Sequence, residues 1–367
     1  MKTSEPARQQ RQTVAQTVLK ATLLVASLLP MVVASEVQGR ANDKPADKAN
    51  TQANTQANTK TNIKADLAGK TIVITGASSG FGEAAARSFA ARGANVVMAA
   101  RRGEELNKIA AQCGPNILVV ATDVSKAEQV KTLTESALAK FQQIDVWINN
   151  AGVGAFGRFT EIPLADQARM IDINLTGVVN GSHFAVTQFK KQGHGTLINV
   201  ASMAGKIPIA YYATYSATKF GVVGFDDALR AELKADKLKD IHVCTVNPLP
   251  TNTPFWINGA NYTGHKINPG VMHEPDIVVD AISDLVLHPR DEVNVGLKAK
   301  VAVKGHRLAP RSVEDNYGEY LRKIQFDEGP SAPPSPGTLY RSVESAAPGI
   351  KGPASEQSSA DGKAETP

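Results

Sequence analysis

Short apolar segments alternate with helix-length segments between residues 67 and 298, and this alternation is the strongest constraint on the fold. The first six predicted strands are apolar throughout, as expected for parallel strands that are covered on both faces. Strands are predicted at 71–75, 95–100, 117–122, 145–149, 196–201, 241–247 and 292–295. Helical segments lie between them at 80–92, 103–113, 126–140 and 212–235. The pattern predicts one α/β domain at 67–298 with a doubly wound parallel sheet and right-handed crossovers.

Charge and cysteine content exclude several classes of protein. The net charge of +5, from 40 Lys and Arg against 35 Asp and Glu, is mild for 367 residues and does not indicate a nucleic-acid partner. Two cysteines, Cys113 and Cys244, provide neither a disulfide framework nor a cysteine-based zinc site. The histidines have no ligand spacing, so no metal site is predicted.

The N-terminal residues have the composition of a targeting segment. Within residues 1–34, four cations precede an uncharged run at 21–34, ATLLVASLLPMVVA. This run suits a signal peptide and is short for a membrane-spanning helix of ~20 residues. We expect a signal peptide or membrane anchor, which places the domain in the periplasm or at the membrane. Anchoring on the cytoplasmic side is the alternative. Residues 35–66, with a tandem TQAN repeat, predict a flexible tether.

The C-terminal residues divide into two further parts. Residues 299–328 are expected to hold a basic segment and an amphipathic helix over 312–325, with Ser312 and Asp315 as its capping box. This helix either packs back on the core or brings its basic surroundings to a membrane surface. The Pro, Ser, Gly and Ala content of 329–367 predicts a disordered tail.

A glycine-rich turn follows the first predicted strand and leads into the first helix. Glycines at such a turn allow close approach of the backbone to a pyrophosphate, and the helix N-terminus presents free N–H groups to it. The turn therefore predicts a dinucleotide site that includes Gly76, Ser78, Ser79, Gly80, Phe81 and Gly82.

Five elements in the same order resemble the short-chain dehydrogenase/reductase family. They are Gly-x-x-x-Gly-x-Gly at 76–82, NNAG at 149–152, Asn174, Ser202, and Tyr215-x-x-x-Lys219. Together with the strand pattern they extend over about 230 residues, and the segment 273–340 resembles the C-terminal extension of an uncharacterised bacterial subgroup. The resemblance implies a seven-stranded Rossmann sheet and an NAD(P)-dependent oxidoreductase acting on a CH–OH group. It also implies a homodimer or homotetramer.

The end of the second strand indicates which dinucleotide binds. A carboxylate at this position usually holds the ribose of NAD. Here Ala100 is followed by Arg101 and Arg102, which could hold a 2′-phosphate, so NADP(H) is predicted. The resemblance adds further cofactor contacts: Asp123, Val124, Asn150, Ala151, Gly152, Pro248, Thr251 and Thr253. Leu249 stands where the family usually has glycine. If the turn requires a positive φ at this position, leucine can adopt it only at a cost in conformational energy.

Tyr215 is the predicted acid–base residue. Lys219 lies one helical turn later on the same face, and its charge favours the phenolate. Neither Tyr211 nor Tyr212 has a lysine at that offset, so both are predicted to be pocket wall or core. In the family, the serine at Ser202 orients the substrate oxygen, the lysine also holds the nicotinamide ribose, and the asparagine at Asn174 holds a proton-relaying water.

The substrate is predicted to be a small apolar ketone, aldehyde or alcohol. Its walls are expected from 153–159, 203–212 and 249–273, and the last segment contains Phe255, Trp256 and Tyr262 but no cluster of cations. Two alternatives remain at this stage. One is a non-catalytic NADP-binding protein, such as a redox sensor or assembly partner, and the other is a dehydratase or epimerase on the same fold.

Overall fold

The computed structural model describes residues 66–341 and 349–352. The predicted targeting segment 1–34 and the tether up to residue 65 lie outside these residues. Within the described part, no helix is both long enough and apolar enough to cross a membrane. Among the described residues, contacts group 66–303 and those from 316 onward into one unit and residues 304–315 into another. Inside the described part of the second unit, His306 Nε2 lies 2.7 Å from Glu314 Oε1.

A seven-stranded parallel sheet forms the centre of the larger unit, and it confirms the predicted fold class. The strand order is β3-β2-β1-β4-β6-β7-β9, so the chain winds outward in both directions from β1 and β4. The strands of this sheet are β1 Thr71–Thr75, β2 Asn95–Ala100, β3 Ile117–Ala121, β4 Val146–Asn149, β6 Gly195–Val200, β7 Ile241–Asn247 and β9 Glu292–Asn294. A second, two-stranded sheet pairs β5 (Ala155–Phe156) with β8 (Ala260–Asn261).

Helices cover both faces of the sheet, which explains why its strands are apolar throughout. The helices are α1 Gly80–Ala91, α2 Gly103–Ala110, α3 Ala127–Phe141, α4 Leu164–Ile171, α5 Gly177–Gln192, α6 Ala213–Ala235, α7 Phe255–Asn258, α8 Asp276–Leu287, α9 Leu297–Leu308 and α10 Pro310–Arg322. Phe89 of α1 and Ile282 of α8 belong to the core on one face. Leu133 of α3 and Phe189 of α5 belong to the core on the other.

A buried polar chain ties the middle of this sheet to α6. Asn149 of β4 donates to Asn199 of β6 at 2.8 Å, and Asn199 donates to Asp226 of α6 at 2.5 Å. Thr245 of β7 donates to the second oxygen of Asp226 at 2.6 Å. Burial is the main reason that the pKa of Asp226 rises to about 7. The chain fixes α6, which carries the predicted tyrosine and lysine, against the strands.

The helix predicted over 312–325 is present, but its ends differ from the prediction. The last long helix begins at Pro310, not at Ser312, so the predicted capping box with Asp315 is not its start. Proline suits the first helical position because its φ is already helical and it lacks an N–H that would go unpaired there. The helical segment also continues through a π-turn at Lys323–Asp327.

The predicted disordered tail contains residues that the structure packs against the domain. Leu339 is only 1% exposed. Ser335 pairs with Asn261 through two backbone hydrogen bonds of 2.8 and 2.9 Å. Composition alone indicated disorder from residue 329, but tertiary contacts hold 329–341 and 349–352 in place. The other residues of the predicted tail lie outside the described ones.

Candidate active site

The turn between β1 and α1 forms a backbone cradle that only glycine allows. Gly76 and Gly80 have φ values of +67° and +57°, in the left-handed region. A Cβ on Gly82 would lie 2.3 Å from the carbonyl oxygen of Gly76 and 2.6 Å from Asn150 Nδ2. The helix start is therefore pressed against the strand, with the helix N-terminus at the groove. This arrangement fits the pyrophosphate of a dinucleotide.

Arg102 and Arg101 extend the groove beyond the end of β2. Arg102 donates to Ser78 Oγ at 3.1 Å and to Ser78 O at 3.0 Å. Arg101 instead donates to the carbonyl oxygens of Thr338 at 2.5 Å and Leu339 at 2.9 Å. Burial lowers the pKa of both guanidiniums, which still remain cations because arginine does not deprotonate in proteins. The C-terminal segment thus reaches the cofactor groove, which the sequence did not reveal.

Asp123, just after β3, is held by a cation that sequence reasoning missed. Arg169 of α4 lies 2.5 Å from its Oδ2, and Ser125 donates to Oδ1 at 2.7 Å. Burial would raise the pKa of Asp123, but these hydrogen bonds and the charge of Arg169 outweigh it and lower the pKa. A charged, fixed acceptor therefore lies at this end of the groove.

Ser202, Tyr215 and Lys219 meet at the other end of the groove. Ser202 follows β6, its Oγ accepts the N–H of Ala204 at 3.1 Å, and its side chain is hydrogen-bonded to Tyr215. The Nζ of Lys219 lies 5.7 Å from the centre of the Tyr215 ring and donates to Val200 O at 2.9 Å. The three side chains that the sequence separated by up to 17 positions are thus in one cluster.

Burial sets the protonation of the tyrosine and the lysine in opposite directions. It raises the pKa of Tyr215 to about 12, against the lowering effect of the Ser202 hydrogen bond. It lowers the pKa of Lys219 to about 8. Near neutral pH the tyrosine therefore holds its proton and the lysine is a cation whose pKa lies close to the surrounding pH.

Asn174 lies behind this cluster and does not line the groove. It is 0% exposed and sits in a π-turn at Asp172–Thr176. Its Oδ1 accepts the Val153 N–H at 2.8 Å, and its Nδ2 donates to Val153 O at 2.9 Å and to Thr218 Oγ1 at 3.3 Å. A Cβ on Gly152 would stand 3.6 Å from Asn174 Oδ1 and 3.7 Å from Lys219 Nζ. Asn174 therefore braces the loop that lies over the lysine.

Leu249 does not strain the turn after β7. Among the described residues other than glycine, a positive φ occurs at Gln142, Tyr211 and Lys237, and not at Leu249. The turn is held by the Pro248 carbonyl, which accepts the Met203 N–H at 2.9 Å. The Leu249 carbonyl accepts the Thr251 hydroxyl at 2.8 Å. A left-handed glycine is not needed here, so the departure from the family pattern leaves this wall intact.

An aromatic cluster forms the substrate end of the groove. The ring of Phe156 lies 4.8 Å from that of Tyr212, 5.9 Å from that of Phe255 and 5.6 Å from that of Trp256. Tyr212, Phe255 and Trp256 line the groove, as the sequence predicted for this region. Tyr262 does not contribute to this wall. Its hydroxyl donates to Asp166 of α4, outside the groove.

The structure brings most of the predicted site residues to one groove. Its lining includes Gly76, Ser78, Ser79, Gly80, Phe81, Arg101, Arg102, Asp123, Val124, Asn150, Ala151, Gly152, Ser202, Tyr215, Lys219, Pro248, Thr251 and Thr253. Gly82 and Asn174 support it from behind. The residues that sequence reasoning missed include Arg169, which holds Asp123, and Thr338, which lines the groove. Neither belongs to a local motif.

The fold and the groove together define a Rossmann-type oxidoreductase that uses a nicotinamide dinucleotide. The chain belongs to the short-chain dehydrogenase family, whose model matches residues 70–261. Members of this family oxidise alcohols or reduce ketones with NAD(P)(H) and act on small molecules.

Individual relatives agree with this assignment. The uncharacterized oxidoreductase YxnA of Bacillus subtilis is 32% identical over 280 residues, which cover 75% of this chain and 78% of YxnA. The 3-ketoacyl-(acyl-carrier-protein) reductase of Brucella melitensis, solved with NADH, is 32% identical with a TM-score of 0.54, covering 60% of this chain and 91% of that one. An alcohol dehydrogenase of Thermococcus sibiricus, solved with 5-hydroxy-NADP, is 29% identical with a TM-score of 0.54, covering 61% and 94%.

Proposed function

We propose that this protein is an NADP(H)-dependent oxidoreductase that interconverts an apolar ketone or aldehyde and its alcohol, with Tyr215 as the acid–base residue. The observation that carries the proposal is the cluster of Ser202, Tyr215 and Lys219 at one end of a groove. The other end of that groove is the glycine cradle of β1 and α1.

The side chains have separate tasks in this reaction. A nicotinamide dinucleotide bound in the groove supplies or accepts the hydride. In reduction, the Ser202 hydroxyl donates to the substrate oxygen and orients it next to Tyr215. Tyr215, which is protonated near neutral pH, gives its proton to the oxygen as negative charge develops there. The Lys219 cation beside the ring then stabilises the phenolate until a proton returns from solvent.

Arg102 and Ser78 support the preference for NADP(H). The two side chains already contact each other, and Arg102 keeps further N–H donors for a phosphate. No carboxylate ends β2, where one would repel that phosphate. The cofactor contacts we propose are the 18 predicted residues, including Tyr215 and Lys219, with Gly82 acting through packing. A tighter dissociation constant for NADH than for NADPH would contradict this preference.

Turnover tests the proposed activity. The purified protein is assayed with NADPH against a panel of apolar and charged ketones and aldehydes, and with NADP and the matching alcohols. We expect reduction of apolar carbonyls by the wild type and a loss of at least 100-fold in Tyr215→Phe. Tyr211→Phe is the matched control, because it removes a hydroxyl from a neighbouring tyrosine with no lysine partner.

Other outcomes of the assay would support the alternatives. If the wild type and Tyr215→Phe are equally inert while both bind NADPH, the chain is a non-catalytic NADP-binding protein. The unstrained turn at Leu249 removes the main argument for that function. Loss of water from the substrate, or inversion at its carbinol carbon, without net change in NADPH would indicate a dehydratase or an epimerase.

We also propose that the protein is exported or membrane-associated and that it forms a homodimer or homotetramer. The cations and apolar run of residues 1–34 support export or membrane association. At the start of α9, Leu297 is 77% and Val301 54% exposed, and the exposed Lys300 lies next to Val301, which supports contact with a membrane surface. Family membership supports a homodimer or homotetramer. N-terminal sequencing with cell fractionation, and light scattering of the purified protein, test these statements.

A further inference from the structure

The C-terminal segment crosses the cofactor groove first at its adenosine end. Thr338 lines the groove, and its N–H and hydroxyl bind the Asn258 carbonyl at 2.9 and 3.1 Å. Its own carbonyl and that of Leu339 hold the guanidinium of Arg101 at 2.5 and 2.9 Å. Arg169 also donates to the Leu339 carbonyl, at 3.1 Å. Main-chain atoms of the tail therefore fix Arg101, which lines the groove, and Arg169, which holds the groove residue Asp123.

Two side chains anchor this first crossing to the domain. Leu339 is 1% exposed and packs in a cluster that includes Met170 and Ala260. The hydroxyl of Tyr340 donates to Asp166 at 2.8 Å. Burial of an apolar side chain and a charge-assisted hydrogen bond stabilise this position, so the crossing is part of the folded domain.

The segment returns at Gly349–Gly352 and joins the two walls of the groove. The Gly349 carbonyl accepts the N–H of Gly80 at 2.9 Å, on the wall formed by α1. The N–H of Gly352 donates to Asn252, on the wall that follows β7, at 3.3 Å to its carbonyl and 3.1 Å to its Oδ1. Lys351 Nζ lies 2.7 Å from Glu274. One short stretch of chain thus bonds to both sides of the same opening.

The second crossing lies across the walls and leaves the groove itself open. Gly80 and Thr253 line the groove, whereas none of the described residues 349–352 is part of the lining. The fit is close: a Cβ on Gly352 would lie 2.3 Å from the Thr253 carbonyl oxygen. The second crossing therefore connects the two walls without filling the groove between them. In this position it can hold the walls together and still leave room for a ligand.

We propose that residues 338–341 and 349–352 form a strap that closes the groove over a bound nicotinamide dinucleotide and slows its release. The inference rests on the proposed function, because it assumes that the dinucleotide binds in this groove. For release, the walls must separate, and the bonds to Gly80 and Asn252 must break first. A retained cofactor also suits an exported enzyme, which would meet little NADPH outside the cytoplasm.

The rate of NADPH release tests the strap. NADPH is bound to the full chain and displaced by excess NADP in a stopped-flow instrument, with the fluorescence of the bound nucleotide as the signal. Two variants open the strap. One is a chain that ends at Arg341, and the other is Gly352→Ala, which keeps the tail but places a Cβ where the Thr253 carbonyl leaves no room for it. We expect release to be at least tenfold faster in both. Gly224→Ala is the matched control, since a Cβ there meets nothing within 4 Å.

Each outcome decides a different point. Unchanged release in both variants overturns the strap. Faster association and tighter binding in the variants, with unchanged release, also overturns it and shows that the tail competes with the dinucleotide. If both variants release NADPH faster than the full chain but the full chain reduces no carbonyl, the strap stands and the proposed activity falls. If the full chain reduces carbonyls and releases NADPH equally fast with and without the strap, the activity stands and the strap falls.

Discussion

Lys219→Met should make the protein more stable while it abolishes activity. Lys219 is only 5% exposed, and burial lowers its pKa from 10.5 to about 8. At ~1.36 kcal/mol for each pKa unit, holding the charged lysine in the fold costs about 3 kcal/mol near neutral pH. Methionine has a similar length and no charge, so the variant avoids this cost.

One contact opposes the gain. The ammonium donates to the Val200 carbonyl at 2.9 Å, and loss of a hydrogen bond from a charged donor costs about 1.5–3 kcal/mol. The expected net effect is a stabilisation of up to about 1.5 kcal/mol, which corresponds to a rise of up to roughly 6 °C in Tm for a domain of this size. Activity should fall at least 100-fold, because the Tyr215 phenolate loses its neighbouring cation.

The pH dependence of the gain separates this explanation from simple repacking. The folded-state pKa of Lys219 lies below its unfolded value, so the neutral lysine is favoured in the fold. The stability that this provides is complete above about pH 10.5 and is lost as the pH falls through about 8. The advantage of Lys219→Met over the wild type should therefore be largest near neutral pH and should narrow between about pH 8 and 10.

Urea unfolding of both proteins at about pH 7 and about pH 9.5 measures this difference. Lys300→Met, at an exposed position of α9, is the control and should change stability by less than about 0.5 kcal/mol at either pH. A variant that is less stable than the wild type at neutral pH, or a difference that does not change with pH, would refute the reasoning.

Three further changes test other parts of the site. Arg102→Ala should weaken NADPH binding about 10- to 100-fold and leave NADH binding nearly unchanged, as measured by fluorescence titration; equal losses for both would argue against a 2′-phosphate contact. Gly82→Ala places a Cβ 2.3 Å from the Gly76 carbonyl and should lower Tm, by calorimetry, and weaken binding of both dinucleotides together. Phe156→Ala removes a fully buried ring that contacts three others, so the free energy of unfolding should fall by about 3–5 kcal/mol. A decrease below about 1 kcal/mol would show that the aromatic cluster rearranges to fill the cavity.

Most of the fold could be predicted because its signals are local. The strands are buried on both faces, so each is visible as an apolar run, and the observed ends differ from the predicted ones by one residue at most. The glycine turn and the Tyr215–Lys219 pair are also local, since a turn and one helical turn determine them. The predicted helix start at Ser312 was wrong because Pro310, which suits the first helical position, begins the helix two residues earlier.

The C-terminal crossings could not be predicted, because nothing in their composition favours order. Thr338 reaches the groove only through contacts with Arg101 and Asn258, which lie far away in the sequence. Tyr262 shows the same limit. It lies in the segment predicted as substrate wall, but its hydroxyl is hydrogen-bonded to the Asp166 carboxylate of α4, outside the groove. Partners that are distant in sequence decided both positions.

The Asp166 carboxylate has a consequence for how this enzyme could diversify. One oxygen accepts the hydroxyl of Tyr262, from the segment 249–273 that was predicted as substrate wall, and the other accepts that of Tyr340, from the C-terminal segment. A single buried group therefore anchors both pieces of chain. Mutations that break the hydrogen bond between Tyr262 and Asp166 would therefore also disturb the hydrogen bond of Tyr340 to the same carboxylate. New substrate ranges should therefore arise more readily through the side chains of Phe255 and Trp256 than through Tyr262, because the tail bonds to their helix at the main-chain carbonyl of Asn258, which side-chain substitutions leave in place.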